Sequence, residues 1–357
     1  MDRKIGKILA VLFLAVTFSC NKEDCNCGPE APTGDSLVFI ACEGSMGSGN
    51  SRLDIYDPRK DSIYTDVFAS SNGQALGDVF QSVTRIGEHF YLCINNSDKI
   101  QVINEGYKLK ATIGIPKPRY IAKVTDEKAY VSSLFSSKLY VLNLKTNTVT
   151  GTIELPFQNP EGMLLTGGKV YVAPWDTACG KIYVVSPLSD KITDSINIAG
   201  RAPQEILADK EQKLWVLAGN KAKGKQSTLT RIDPQTASIL KNYHFPAEAD
   251  PVRPQLNRSG DTLYFIGVDY AGAGNYNGIY RMGINDSGLP SQPFLRALQY
   301  QYFWALAISP WDGTIYVGDP KGFIQKGEVS VYSPDGTLIR RFPTGVGPGH
   351  LYFYSGL

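Results

Sequence analysis

The chain has 357 residues, 43% hydrophobic, 11% aromatic and 20% charged, a balance that fills a large core and excludes intrinsic disorder. No segment approaches the ~18–20 continuous apolar residues that cross a bilayer as a helix, which excludes a multi-pass helical membrane protein. The net charge of +2 comes from residues 1–19, where Arg3, Lys4 and Lys7 stand against Asp2; from Cys20 onward the chain is neutral and gives no electrostatic reason to bind nucleic acid or an anionic membrane.

The N-terminus has the form of an export signal. Basic residues through Lys7 precede the apolar run Ile8 to Val16, then Thr17-Phe18-Ser19-Cys20. The cysteine after Ser19 resembles the lipid-accepting residue of bacterial lipoproteins, and Asn21-Lys22-Glu23-Asp24 resembles the signal that sends Bacteroidetes lipoproteins to the outer face of the outer membrane. Residues 1–19 are therefore expected to be a signal peptide and Cys20 the lipidation site. Residues 20–36, with Gly28, Pro29, Pro32 and Gly34, read as a lipidated flexible tether. Of the other cysteines, Cys42 and Cys93 lie in apolar strand-like runs, and no pair of CxxC motifs predicts a zinc site.

From residue 37 to 357 one unit recurs. Its aromatic-rich second strand appears as Leu37-Val38-Phe39-Ile40, Phe90-Tyr91-Leu92, Ala129-Tyr130-Val131, Val170-Tyr171-Val172, Leu214-Trp215-Val216, Leu263-Tyr264-Phe265 and Ile315-Tyr316-Val317. A third strand follows, as in Leu139-Tyr140-Val141-Leu142-Asn143, then a turn and a last strand such as Gly151-Thr152-Ile153-Glu154-Leu155. Short alternating strands bounded by Gly, Pro, Asn and Asp, four to a unit, predict an all-β fold, a seven-bladed β-propeller of four-stranded antiparallel blades. The first copy lacks a first strand, and His350 to Tyr354 at the other end has the character to supply it and close the ring.

Insertions between second and third strands fall in blade 1 (Glu43 to Ser51), blade 4 (Pro174 to Gly180), blade 5 (Gly219 to Ser227), blade 6 (Asp269 to Gly278) and blade 7 (Asp319 to Gly327). These loops share a face with the inter-blade connections, and insertions confined to one face mark a binding face. The connections place Gln81, Arg119, Tyr120, Glu161, Gln204, Glu205, Arg253, Trp304 and His350 around the channel mouth, while the loops add Phe135, Trp175, Tyr270, Tyr276 and Phe323. Aromatic surface beside amide and charged groups suits a large flat ligand with polar edges.

Catalytic signals are weak. The three histidines, 89, 244 and 350, lack metal-ligand spacing, and no zinc-protease, nucleophile-elbow, phosphate-loop or calcium-loop pattern occurs. The sequence therefore predicts a binding protein that is not an enzyme and requires no metal or cofactor.

The segments Glu43-Gly44-Ser45-Met46-Gly47-Ser48-Gly49-Asn50, Leu53-Asp54-Ile55-Tyr56-Asp57, Leu76-Gly77-Asp78-Val79-Phe80-Gln81-Ser82, Asn95-Asn96-Ser97-Asp98-Lys99-Ile100 and Pro118-Arg119-Tyr120 resemble the YncE-like propeller lipoproteins of Bacteroidetes, among them the cobalamin-binding BtuG group. The resemblance implies a surface lipoprotein that captures cobalamin or a related corrinoid as cargo and passes it to a TonB-dependent outer-membrane transporter. It assigns no ligand residue. A propeller lactonase or lyase using Glu161, Glu205 and a bound metal, or a protein-binding scaffold, are the alternatives.

Overall fold

In a computed structural model, residues 32–34, 36–270 and 276–355 are described; the expected signal peptide and Cys20 lie outside them. The described residues form seven four-stranded antiparallel sheets. Six blades are continuous in sequence. The seventh, blade 1, takes its innermost strand from the C-terminus, where Pro348–Tyr354 pairs with Leu37–Cys42. The seven-bladed, end-to-end closed propeller expected from the sequence is the observed fold.

The cores lie between blades. Along Leu37–Cys42 side chains alternate faces: Leu37, Phe39 and Ala41 pack against blade 2, and Val38, Ile40 and Cys42 pack against blade 7. A strand covered on both faces is apolar throughout, and all six residues are fully buried. Seven such clusters serve seven blades, so no blade flank is left uncovered. Around the closure, Phe39 stacks on Phe90 at 4.5 Å and Tyr354 meets the Phe90 ring edgewise at 5.3 Å. Cys42, Cys93 and Cys179 are buried free thiols. No described helix is long and apolar enough to cross a membrane.

Three details differ from the sequence reading. Blade 5 has little insertion: its strands run on as Leu214–Asn220 and Lys225–Asp233, and only a short 3-10 turn, Lys221–Lys223, joins them. The segment expected as an insertion, Gly219 to Ser227, is largely strand, with cross-strand pairing continuing to Asn220↔Lys225. Blade 6 ends in a two-residue strand, Leu295–Arg296. A six-residue helix, Val67–Asn72, too short to show a helical period, follows blade 1.

The entry to the innermost strands is a repeated device. Val79, Lys117, Asn159, Ala202 and Gly347 all have left-handed φ, between 42° and 63°, and each immediately precedes an innermost strand. Each carbonyl accepts a backbone hydrogen bond, from Asn95, Leu134, Trp175, Gly219 and Glu43 respectively, at 2.7–3.0 Å. Those donors lie at or just past the end of each blade's second strand, so the left-handed residue ties the inter-blade connection to that hairpin. Four of these strands then start with Pro, which is tolerated where no ladder N–H is needed.

Two predictions follow from this geometry. Deleting residues 348–357 removes the partner of Leu37–Cys42 and exposes a fully apolar strand edge; the truncated protein should aggregate or melt far below the parent in a thermal scan, and an unchanged melt would contradict closure by this strand. Ala202 is buried with φ of 57°, so Ala202→Gly should relieve strain and raise unfolding free energy in urea by about 1 kcal/mol; a loss of that size would show that the methyl packing outweighs the strain.

Candidate functional site

The channel mouth is built by β-bulges. In six of the seven innermost strands the register slips near the mouth: at Gln81, Arg119–Tyr120, Glu161–Gly162, Gln204, Arg253–Pro254 and Gly349. The short innermost strand of blade 7, Ala305–Ile308, has no slip, and Trp304 stands just before it. A bulge leaves a residue out of the ladder and re-aims its side chain. Five of these six sites carry polar side chains of the mouth: Gln81, Arg119 with Tyr120, Glu161, Gln204 and Arg253.

These side chains form a belt across the channel. Arg119 of blade 3 donates from Nε to both Glu161 oxygens of blade 4 at 3.0 Å, and from its terminal nitrogens to Glu161 and to Gln81 Oε1 of blade 2. Gln81 Nε2 donates to the Tyr120 hydroxyl at 3.2 Å, which also accepts from Arg253 of blade 6 at 2.7 Å. Arg253 donates to the Trp304 carbonyl at 3.4 Å and lies 4.0 Å from Glu43 of blade 1, whose Oε1 accepts from Trp304 Nε1 at 2.7 Å. Arg253 also sits over the Trp304 ring. Six blades are thus joined through side chains, and blade 5 contributes no bond to the belt.

Burial and pairing set the charges. For Arg119 burial opposes the cation, but Glu161 and Tyr120 hold its pKa above the ordinary value. Burial pushes the Glu43 carboxyl up, with Arg253 and the Trp304 N–H opposing. Burial raises Glu205 to about 7, Arg253 opposing and Glu161 adding. His350, in the channel, is pushed down to about 3 by burial and then by Arg253; the neutral ring accepts a long bond, 3.5 Å, from the Val83 N–H at Nδ1.

Above the belt a cavity of about 340 Å3 opens between blades 3 and 7. It brings together nine of the fourteen mouth and loop residues singled out in the sequence: Arg119, Tyr120, Glu161, Trp175, Gln204, Glu205, Arg253, Tyr270 and Trp304. Trp175 and Gln204 are held on one acceptor, donating to the Gly219 carbonyl at 3.0 and 2.6 Å. Gly162 lets the inner strands of blades 4 and 5 approach, since a Cβ there would lie 2.5 Å from the Gln204 carbonyl oxygen. Gln81 and His350 belong to the channel but not to the cavity wall. Phe135 is a loop tip, 75% exposed, and Phe323 packs edge-on against Trp304. Tyr276 turns away to the outer flank, against Tyr280 in a separate cleft between blades 5 and 6.

The sequence reading missed Glu43 as a belt member and Asp250 as a cavity residue. A signal existed for each. Glu43 directly follows the apolar run Leu37 to Cys42, and Asp250 precedes Pro251 where other blades place a Pro at strand entry. Among the described residues no group of three or more His, Cys, Asp or Glu gathers in a metal-holding arrangement.

The belt and Glu205 make separate predictions. The Arg119–Glu161 side chains are only 16% and 6% exposed, and removing one member of a buried pair costs about 3–5 kcal/mol. Glu161→Ala should lower unfolding free energy by an amount in that range in urea titration; a change within experimental error would mean the belt is not structural. Glu205 has a folded-state pKa above its ordinary 4.5. The native state therefore binds this proton more tightly than the unfolded chain, and stability falls as pH rises between about 4.5 and 7, with the full penalty above 7. Glu205→Gln should raise the melting temperature at pH 8 and leave it nearly unchanged at pH 4.5, whereas an equal effect at both would contradict that origin.

Solved structures of similar fold include a quinoprotein alcohol dehydrogenase-like protein of Bacteroides thetaiotaomicron, 15% identical, covering 90% of this chain and 78% of that one with a TM-score of 0.67. The periplasmic gluconolactonase of Pseudomonas aeruginosa is 10% identical, with 90% and 99% coverage and a TM-score of 0.67. Streptogramin B lyase is 13% identical, with 77% and 90% coverage and a TM-score of 0.57. At such identities the likeness establishes a common fold. It also corrects the expectation that the chain is not an enzyme: gluconolactonase and the lyase work on this scaffold, so the missing motifs do not count against catalysis. No curated protein matches the chain in sequence. A family pattern does match, over residues 37–282, and the chain belongs to that family, described as a domain of unknown function, DUF5074.

Proposed function

We propose that this protein is a ligand-capture lipoprotein, anchored through Cys20 on the outer face of the outer membrane, whose channel mouth takes up cobalamin or a related corrinoid for a TonB-dependent transporter. The observation that carries the reading is the cavity itself, aromatic at Trp175, Tyr270 and Trp304 and polar at its base. Its volume, about 340 Å3, is at the low end of small-molecule sites, roughly 300–1,000 Å3. It suits one substituent of a corrinoid while the ring rests outside on the loop tips. Those tips are apolar: Met46, Phe135, Tyr270, Leu298, Tyr300 and Ile324 are all more than half exposed, and all lie in loops of the mouth face. The N-terminal export pattern and the resemblance of blades 1 to 3 to the YncE-like propeller lipoproteins, which include the BtuG group, point the same way.

A second reading, a propeller hydrolase or lyase, is favoured by one observation. Glu205 is a carboxyl raised to about 7 beside two guanidinium groups, which is suited to moving a proton while Arg253 or Arg119 steadies developing negative charge. Turnover of D-glucono-δ-lactone abolished by Glu205→Gln would favour it.

Calorimetric titration with cyanocobalamin tests the first reading. The parent should bind, Trp175→Ala should lose about 2 kcal/mol or more of binding free energy, and His89→Ala, at the opposite end of blade 2, should bind as the parent does. No binding by the parent would remove the corrinoid reading, and equal loss at His89 would remove the face assignment. Cys20→Ala should shift the protein from the membrane fraction to the soluble fraction; unchanged fractionation would contradict the anchor.

A further inference from the structure

Charges around the cavity do not pair off evenly. Arg119 is bonded to Glu161 on two sides. Arg253 is engaged by the Tyr120 hydroxyl, the Trp304 carbonyl, the Trp304 ring and, at 4.0 Å, Glu43. Lys221 at the rim donates to the Glu248 carbonyl and lies 3.8 Å from Asp269. Every cation on the wall therefore has an acceptor in the protein. Two wall carboxyls, Glu205 and Asp250, make no side-chain hydrogen bond or ion pair with any described residue. They enter on the inner strands of blades 5 and 6, Pro203–Ala208 and Asp250–Leu256.

From this imbalance, and on the reading of the mouth as a ligand site, we propose that the cavity selects a substituent bearing N–H donors, a primary carboxamide or a cationic amidine or ammonium group, which donates to Glu205 and Asp250, and that it rejects carboxylates. Both carboxyls are only half-buried, and a ligand that covers them must replace their solvent hydrogen bonds with donors of its own. The groups facing Glu205 agree. Arg253, Arg119 and Glu161 all act on it, but the two arginines are committed to the belt, and Glu161 is held by Arg119. The Tyr120 hydroxyl, which already accepts from Gln81 and Arg253, lies close enough for Glu205 to raise its pKa without bonding to it. An incoming carboxylate would meet Glu205 and Asp250, while the cations that act on them, Arg253, Arg119 and Lys221, are already engaged by protein acceptors. Trp175, Tyr270 and Trp304 give the cavity aromatic wall on which a planar head group and its stem can lie.

Benzamidine, benzamide and benzoate share one ring and differ only in the head group, so they isolate this selection without a corrinoid. Titrated at pH 8 by calorimetry and by tryptophan fluorescence, benzamidine should bind at least about tenfold more tightly than benzoate, with benzamide between. Glu205→Gln and Asp250→Asn should each weaken benzamidine by about tenfold and narrow the gap to benzoate, with melting curves showing that both variants are folded. Benzoate binding as tightly as benzamidine, no binding of any of the three at millimolar concentration, or an unchanged preference in both folded variants would overturn the proposal. Cyanocobalamin titrated in parallel keeps the two claims separate: its failure alongside an intact benzamidine preference would remove the corrinoid and leave the donor selectivity standing.

Discussion

Two arginines buried in the channel mouth set the terms for the rest of this site. A guanidinium out of water must find acceptors in every direction, and no single blade supplies them. Arg119 and Arg253 solve this by reaching Glu161, Gln81, Tyr120, the Trp304 carbonyl and Glu43, on five other strands or loops. The requirement explains the bulges. A regular antiparallel ladder would send alternate side chains into the two inter-blade cores, whereas one slipped residue per strand frees a side chain to point along the channel.

The same device leaves blade 5 apart. Gln204 turns to the Gly219 carbonyl of its own blade, and Glu205 enters the cavity without a partner. Glycine at 162 permits this, because the neighbouring inner strand approaches too closely for a Cβ. Two half-buried carboxyls, Glu205 of blade 5 and Asp250 of blade 6, thus line one side of the mouth without a hydrogen bond from another side chain.

Much of the architecture was legible because the inter-blade cores cover both faces of each second strand and so demand a short, nearly continuous apolar run there, which survives loop variation. Closure was legible from the unmatched His350 to Tyr354 segment. The mouth residues were legible as a set, since Arg119, Glu161, Gln204 and Arg253 occupy matching places after or beside Pro. Their partners were not. Glu43 reaches Trp304 across the closure of the ring, a contact 261 residues apart in sequence that no local pattern encodes. The left-handed entries at Val79, Lys117 and Ala202 were hidden because the residues are not glycine; tertiary hydrogen bonds to their carbonyls, and not local propensity, hold them there. Tyr276 shows the converse, an aromatic in an inserted loop that packs on Tyr280 at the outer flank.

In the closed seven-bladed ring the hydrogen-bonded belt and the cavity lie on the face where the apolar loop tips also gather. The most direct measurement is a crystal structure of the protein soaked with cyanocobalamin. The account predicts the ring over the mouth face, one amide side chain inside the cavity with its nitrogen in hydrogen-bond range of Glu205 or Asp250, and the Arg119–Glu161 pair intact. A ligand bound on the opposite face, or one whose entry breaks that pair to recruit Arg119, would contradict it.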